Sequence, residues 1–579
     1  MLDLLNELNP KQREAVNQIN GPCLVIAGAG SGKTKVLTYK VAHLIDDCDV
    51  RPWNILAITF TNKAANEMKE RIQNLVGDVI NDIWLGTFHS ICVRILRKFI
   101  DRLGYDVSFV IFDSADQKTL VKKCLKELDI DSKIFTEKSI INEISNAKNM
   151  MIKSDDFISR YQGDYRKEKI GKIYSLYQRK LKENNALDFD DIINLTIDLL
   201  IGNEDVLDYY SDKFKYILVD EYQDTNKSQF KLVSMLAKKN MNIMVVGDND
   251  QGIYSFRGAD ISNILNFEKD FEGTKIIKLE QNYRCTGNIL KVANEVIKNN
   301  TNKYDKRLWT ENTNGELPYI YTGRDEYDEA SFIANKIEEL KSSKELNYSD
   351  FAILYRMNVQ SRAIEDILMR ESIPYKIIGG LKFYERKEIK DIIAYLRLIS
   401  NQSDNLALTR IINEPKRGIG GVSLNKIEEL AIENETSMYN IIKQSEKFIP
   451  RIQGNVVDFV EMVEVLKDAD LTITELVKMI LIKSGYMASL QAENTVESET
   501  RIQNLEEFLT VVSEFEEEYA ENGLDEFLQN LSLSSDVDNI DDSDDKVTLM
   551  TLHSAKGLEY PVVFLAGVED RNFSWRTVS

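Results

Sequence analysis

The segment "CLVIAGAGSGKTKVLTYKVAHLI", Cys23 to Ile45, constrains the fold more than any other part of the chain. A short apolar run enters a stretch of Gly, Ala and Ser, which passes directly into an amphipathic helical pattern. Strand, glycine-rich turn and helix in that order open a parallel α/β sheet, whose strands, covered on both faces, read as continuous apolar runs. "NILAITF", "YILVD" and "NIMVVGD" are further strands of this type, and "NKAANEMKERIQNLV" supplies a helix between them. From about Ser114 to Leu187 the β runs give way to lysine-rich helical patterns. "TKIIKLEQN" and "DFAILYR" then read as strands of a second sheet, a helical block runs from about Lys382 to Leu533, and "KVTLMTLHS" resumes the strands. The expectation is therefore α/β, with two parallel sheets that each carry a helical insertion. The Asp-dense "SSDVDNIDDSDDK" reads as a solvated linker.

Two motifs carry chemistry. In "AGAGSGKT", Ala27 to Thr34, small residues let backbone N–H groups converge on a triphosphate, Lys33 reaches the β- and γ-phosphates, and the Thr34 hydroxyl holds Mg²⁺. The strict pattern begins with Gly, where this chain has Ala27. "YILVDEYQD" places Asp220 and Glu221 at the end of a strand. Asp220 suits Mg²⁺ bound through water and Glu221 suits orientation or deprotonation of an attacking water, although adjacent carboxylates after a strand also serve as helix caps.

Composition narrows the setting. The 579 residues, 43% of them hydrophobic, can fill several cores, about three or four at the usual domain size. Five cysteines with no Cys-x-x-Cys spacing, together with only three histidines, argue against a zinc site or a disulfide framework and suit a reducing compartment. No segment offers the roughly eighteen apolar residues that span a bilayer, so the expected location is cytoplasmic. A formal net charge of −21 has the wrong sign for coating nucleic acid and requires any such contact to lie in a focused channel. Screening over about 8 to 10 Å makes that possible.

"LNPKQREAV", "AGAGSGKT", "ITFTNKAANEMKERI", "GTFHSICVRILR", "LVDEYQDTN", "VVGDNDQGIYSFRGAD", "LEQNYRC" and "TLHSAKGLEYPVVFLAG" occur in this order across nearly the whole chain. The series resembles the superfamily 1 DNA helicases of the UvrD/Rep/PcrA group. That resemblance implies two RecA-like P-loop domains, each with a helical insertion: 1–113 with 188–277 as the ATP-binding core, 114–187 as its insertion, 278–378 with 546–579 as the second core, and 379–545 as its insertion. It also implies an ATP- and Mg²⁺-dependent motor that moves 3′ to 5′ along single-stranded DNA and opens duplex at junctions, in DNA repair or replication.

Residue roles follow from the same resemblance. Gln12 reads adenine, Tyr283 stacks on the base, and Ala27, Gly28, Ala29, Gly30, Ser31, Gly32, Lys33, Thr34 and Lys35 form the nucleotide cradle. Gln251 senses the γ-phosphate, Arg284 is an arginine finger reaching from the second sheet, and Glu559 contacts nucleotide from the far side. The DNA track comprises Phe60, His89, Tyr254, Phe256, Arg257, Arg356, Asn358 and His553, although Phe60 and Phe256 taken alone also fit ordinary core. Three positions depart from the pattern: Phe256 where Trp is usual, Lys35 where Arg is common, and Gly252 where Ser is common. The final "VEDRNFSWRTVS" replaces the group's acidic-Gly-Phe-Pro turn, and the later arginine-bearing motif is not found. The second core is thus expected to be incomplete, with an inactive nucleotide- and DNA-binding remnant as the rival to a working motor.

Overall fold

Strand β1, Cys23–Ala27, is buried along its whole length. Leu24 and Ile26 join Leu56, Ile58 and Val219 in the core on one face, whereas Cys23, Val25 and Ala27 join Ile55, Ala57 and Leu218 in the core on the other. Successive strand side chains point to opposite faces, so a doubly covered sheet needs apolar residues at every position. That is the physical origin of the unbroken run in the sequence. The computed structural model describes residues 4–300, 304, 306–378, 384, 386–493, 495–518, 523–533 and 545–569. The Asp-rich linker, apart from its last two residues, and the terminal segment 570–579 lie outside the described residues.

The remaining strands up to residue 279 are β2 (Ile55–Thr59), β3 (Trp84–Thr87), β4 (Val110–Ile111), β5 (Ala186–Leu187), β6 (Tyr216–Val219), β7 (Ile243–Gly247) and β8 (Lys275–Leu279). Five of them join β1 in an all-parallel, six-stranded sheet in the order β3-β2-β6-β7-β1-β8. In such sheets ligands bind outside the carboxyl ends of the strands. The loops after β1, β6 and β7 therefore share one rim.

One expectation is overturned. "TKIIKLEQN" does not open the second sheet: β8 pairs with β1 from Cys23↔Lys275 to Ala27↔Leu279. A boundary at 277/278 would cut this strand, and Arg284, five residues beyond it, is attached to the first sheet. Alternating apolar residues identify a strand but do not name its neighbour.

Between β4 and β5, which pair with each other, lie helices such as Ser114–Glu127, Glu137–Asn149 and Tyr165–Glu183, with their own core around Ile140, Ile173 and Tyr177. The insertion is tied back to the sheet near the "DEYQDTN" loop, where Asn226 donates to Asn149 Oδ1 at 2.6 Å.

The second sheet contains β9 (Phe351–Tyr355), β10 (Tyr375–Ile377), β11 (Val547–Thr551) and β12 (Val562–Leu565), all parallel in the order β10-β11-β9-β12. Between β10 and β11 runs the long helical block, which has a separate core that includes Ile392, Tyr395, Tyr439 and Phe508. This block touches the first insertion through charge: Arg397 pairs with Asp116 at 2.6 Å and Lys390 with Asp113 at 2.9 Å. Among the described residues no helix is long and apolar enough to cross a membrane.

Candidate active site and nucleic-acid interface

The loop after β1 turns sharply enough to need glycine at two points, Gly30 at φ +65° and Gly32 at φ +83°. Helix α1 (Pro10–Asn17) lies beside it, and helix α2 (Lys33–Asp46) starts immediately after Gly32 with no side-chain cap. The first N–H groups of α2 are consequently offered to an anion. Lys33 Nζ lies 2.8 and 2.9 Å from the two carboxylate oxygens of Glu221.

Burial pushes the Glu221 carboxyl up, but Lys33 and Lys556 more than offset this and hold it below the usual carboxylate range. Its neighbour Asp220 is pushed up to about 7 by burial and by the Glu221 charge, with Lys33 opposing. Glu221 itself has φ +47°, a left-handed conformation uncommon outside glycine, at the turn after β6. One Asp220 oxygen accepts the Glu221 N–H at 2.9 Å, and the nearby Thr34 hydroxyl helps to hold the carboxyl's pKa down. Thr34 and Asp220 therefore present adjacent hard oxygen donors, a set that fits Mg²⁺.

The sequence-designated nucleotide residues gather around this centre. Gln12 donates to Ser31 O at 3.0 Å and accepts from the Asn9 N–H at 3.1 Å, so its amide both caps α1 and braces the loop. Tyr283 is half exposed; its hydroxyl accepts from Asn9 Nδ2 at 2.8 Å, and its N–H donates to Gly30 O at 2.9 Å. Arg284 is ion-paired with Glu559, which arrives from the second sheet. Gln251 donates through Nε2 to Asp248 Oδ2 at 2.7 Å. Lys35 points its ammonium at Glu7 O, 3.1 Å away.

Five of the eight designated DNA residues form one cluster. The Tyr254 hydroxyl donates to His553 O at 3.1 Å, and the Phe256 ring, 59% exposed, meets His553 edge-on at 5.2 Å. The Arg257 guanidinium lies 5.3 and 5.6 Å from the Tyr254 and Phe256 ring centres, and Arg356 Nη1 is 3.2 Å from His553 Nδ1. Burial and the two arginines lower the His553 pKa, which keeps the ring neutral at pH 7. Asn358 is exposed nearby in sequence, in the turn after β9. Phe60 and His89 are held elsewhere, edge-on to Phe88 at 5.5 Å and Phe189 at 5.7 Å respectively. Burial takes the His89 pKa down to about 4.

Several residues at the site were not singled out by the sequence. Lys556 reaches from the second sheet to the Asp224 carboxylate, to Gln251 O at 2.7 Å and over the Tyr254 ring at 5.0 Å. Gln223 donates to Glu221 at 2.6 Å and accepts from the Asp248 N–H at 2.9 Å. Asn282 Nδ2 donates to Ala29 O at 2.7 Å. All three fall inside the quoted motif stretches, so an alignment of charged and amide positions within them was the available signal.

A family profile described as the UvrD/REP helicase N-terminal domain matches residues 8–272, and one described as the UvrD-like helicase C-terminal domain matches residues 277–576. The ATP-dependent DNA helicase PcrA of Bacillus subtilis is 50% identical over 580 residues, an alignment covering 98% of this chain and 78% of that protein. PcrA proteins of Staphylococcus aureus and Staphylococcus epidermidis are 49% and 48% identical over 577 residues, with 98% of this chain and 78% and 79% of theirs covered.

Proposed function

The chain belongs to the UvrD/REP helicase family, and from that premise we propose that it is an ATP-dependent DNA helicase that moves 3′ to 5′ on single-stranded DNA and unwinds duplex at single-strand/double-strand junctions. Two RecA-like halves, each with a helical insertion, frame the cleft. One observation carries the coupling. The segment Asp248–Arg257 begins near Lys33, is joined to Glu221 through Gln223, and ends in the aromatic cluster, and Lys556 and His553 of the second sheet touch it at Gln251, Tyr254 and Phe256. A change at the phosphate end therefore reaches the strand-holding end through a few residues of continuous backbone.

In this reading Lys33 binds the β- and γ-phosphates, Glu221 takes a proton from the attacking water, and Gln251 orients that water. Tyr283 stacks on the base, Gln12 reads its edge, and Arg284 meets charge developing on the γ-phosphoryl group. Thr34 and Asp220 would hold Mg²⁺, which when bound would supply positive charge to the triphosphate. Tyr254, Phe256 and His553 stack against bases while Arg257, Arg356 and Asn358 meet the backbone, with Phe60 and His89 flanking. Repair or replication in the cytoplasm is the proposed setting. The test is ATP turnover with and without single-stranded DNA, together with unwinding of duplexes bearing 3′ or 5′ tails. Stimulation by DNA and preference for the 3′ tail are expected; tight binding of both ligands without turnover would leave a remnant and sink the motor.

A further inference from the structure

Lys306 lies outside all the motif stretches, yet its side chain is only 4% exposed. Its ammonium donates to three successive side chains: the Asp248 carboxylate, Asn249 Oδ1 at 3.0 Å and the Asp250 carboxylate at 2.5 Å. An ammonium has three hydrogens, and all three are directed at one short loop. Asp248 divides its own oxygens. Oδ1 receives Lys306 and the Asp250 N–H at 3.0 Å, and Oδ2 receives the Gln251 amide at 2.7 Å.

The same Lys306 segment continues to the phosphate loop. A Cβ placed on Gly28 would come within 2.1 Å of Leu308 Cδ2, and Trp309 exchanges backbone bonds with Glu280 O at 3.0 Å and the Asn282 N–H at 2.7 Å. Residues 306–309 thus strap the loop after β7 to the loop after β1.

Asp248 and Asp250 are 3% and 11% exposed and share the Lys306 ammonium, and Asp248, like Asp220 and Glu221, lies near enough to Lys33 to act on its charge. Without a cation between them the two carboxylates would repel each other and separate, and that change would release the Gln251 amide. With Nε2 committed to the Asp248 carboxylate, the Gln251 amide oxygen is the end that accepts from water. We propose that Lys306 is a positioning residue for ATP hydrolysis, fixing Asp248 so that Gln251 holds the attacking water in line with the γ-phosphate. The proposal rests on the role given to Gln251 above.

The test uses the whole chain with Lys306→Met, and with Lys306→Gln, which keeps a hydrogen-bond donor without the charge. Equilibrium binding is measured for Mg-ADP and for Mg-ADP with aluminium fluoride, which mimics the phosphoryl group in transit. Lys306→Met should weaken the fluoride complex about tenfold or more and leave Mg-ADP within about twofold, with Lys306→Gln in between. On a Gln251→Ala background the same change should cost no more than about twofold further. Equal losses for both ligands, or losses that multiply on that background, would overturn the proposal. If Lys306→Met does not fold, the Lys306→Gln comparison decides. A wild-type chain without DNA-stimulated turnover would sink the helicase reading, while the fluoride comparison would still judge Lys306.

Discussion

Replacing Lys556 by Met removes the one described cation that reaches from the second sheet to Asp224, and the outcome should depend on pH. Burial lifts the Asp224 carboxyl to about 6 despite the opposing Lys556 charge. A carboxyl raised above its ordinary value binds its proton more tightly in the closed cleft than in an opened one. The ionised form therefore disfavours closure, by about 3 kcal/mol once pH exceeds 6, and this cost fades as pH falls toward the usual carboxylate range. Without Lys556 the cost rises until protonation caps it, at about 5 kcal/mol near pH 7.5, an increment of about 2 kcal/mol. Near pH 6 the increment falls below about 0.5 kcal/mol. Losing the bond to Gln251 O and the contact with Tyr254 adds about 1.5 to 2 kcal/mol at either pH. Hydrogen–deuterium exchange of residues 551–558, corrected for intrinsic rates, should show protection falling about 400- to 900-fold near pH 7.5 and about 30- to 60-fold near pH 6. Asp224→Asn combined with Lys556→Met should erase that difference. Equal losses at both pH values, or a difference that survives Asp224→Asn, would refute the electrostatic reasoning.

Lys33→Ala should reduce DNA-stimulated ATP turnover by about a hundredfold or more, read by steady-state phosphate release, with DNA affinity in the absence of nucleotide unchanged within about twofold. Phe256→Ala should weaken single-stranded DNA binding by about 1 to 3 kcal/mol in fluorescence anisotropy, because the exposed ring is a stacking platform rather than core. Gly30→Ala places a methyl 2.7 Å from Asn282 Nδ2 and 2.8 Å from Arg284 Cβ at a positive φ. It should lower nucleotide affinity about tenfold or more by calorimetry and reduce thermal stability by about 1 to 2 kcal/mol.

The first sheet was legible because a doubly buried strand spells itself out: every residue of "CLVIA" faces one core or the other. The phosphate loop and the "DEYQD" carboxylates were legible because their chemistry is contiguous in sequence. Pairing was not. β8 carries a strand pattern that fits either sheet, and only its backbone register with β1 decides. Long-range polar contacts were equally silent: Lys306, outside every motif, meets residues 56 to 58 positions away, and Lys556, although inside a motif, meets Asp224 from 332 positions away, a pairing that neither stretch spells out. Asn226 and Asn149, which join the first insertion to its core, are unreadable for the same reason.

Because β8 is hydrogen-bonded to β1, and Asn282 and Tyr283 are fastened to Ala29 and Gly30, Arg284 shares one rigid frame with Lys33. A movement of the second sheet relative to the first would leave the spacing of that pair unchanged, whereas Glu559 and Lys556 would travel with the second sheet. A small molecule anchored between Lys33 and Arg284 would therefore compete with nucleotide yet leave the two sheets free to move apart, and only one extended as far as Glu559 would act as a wedge.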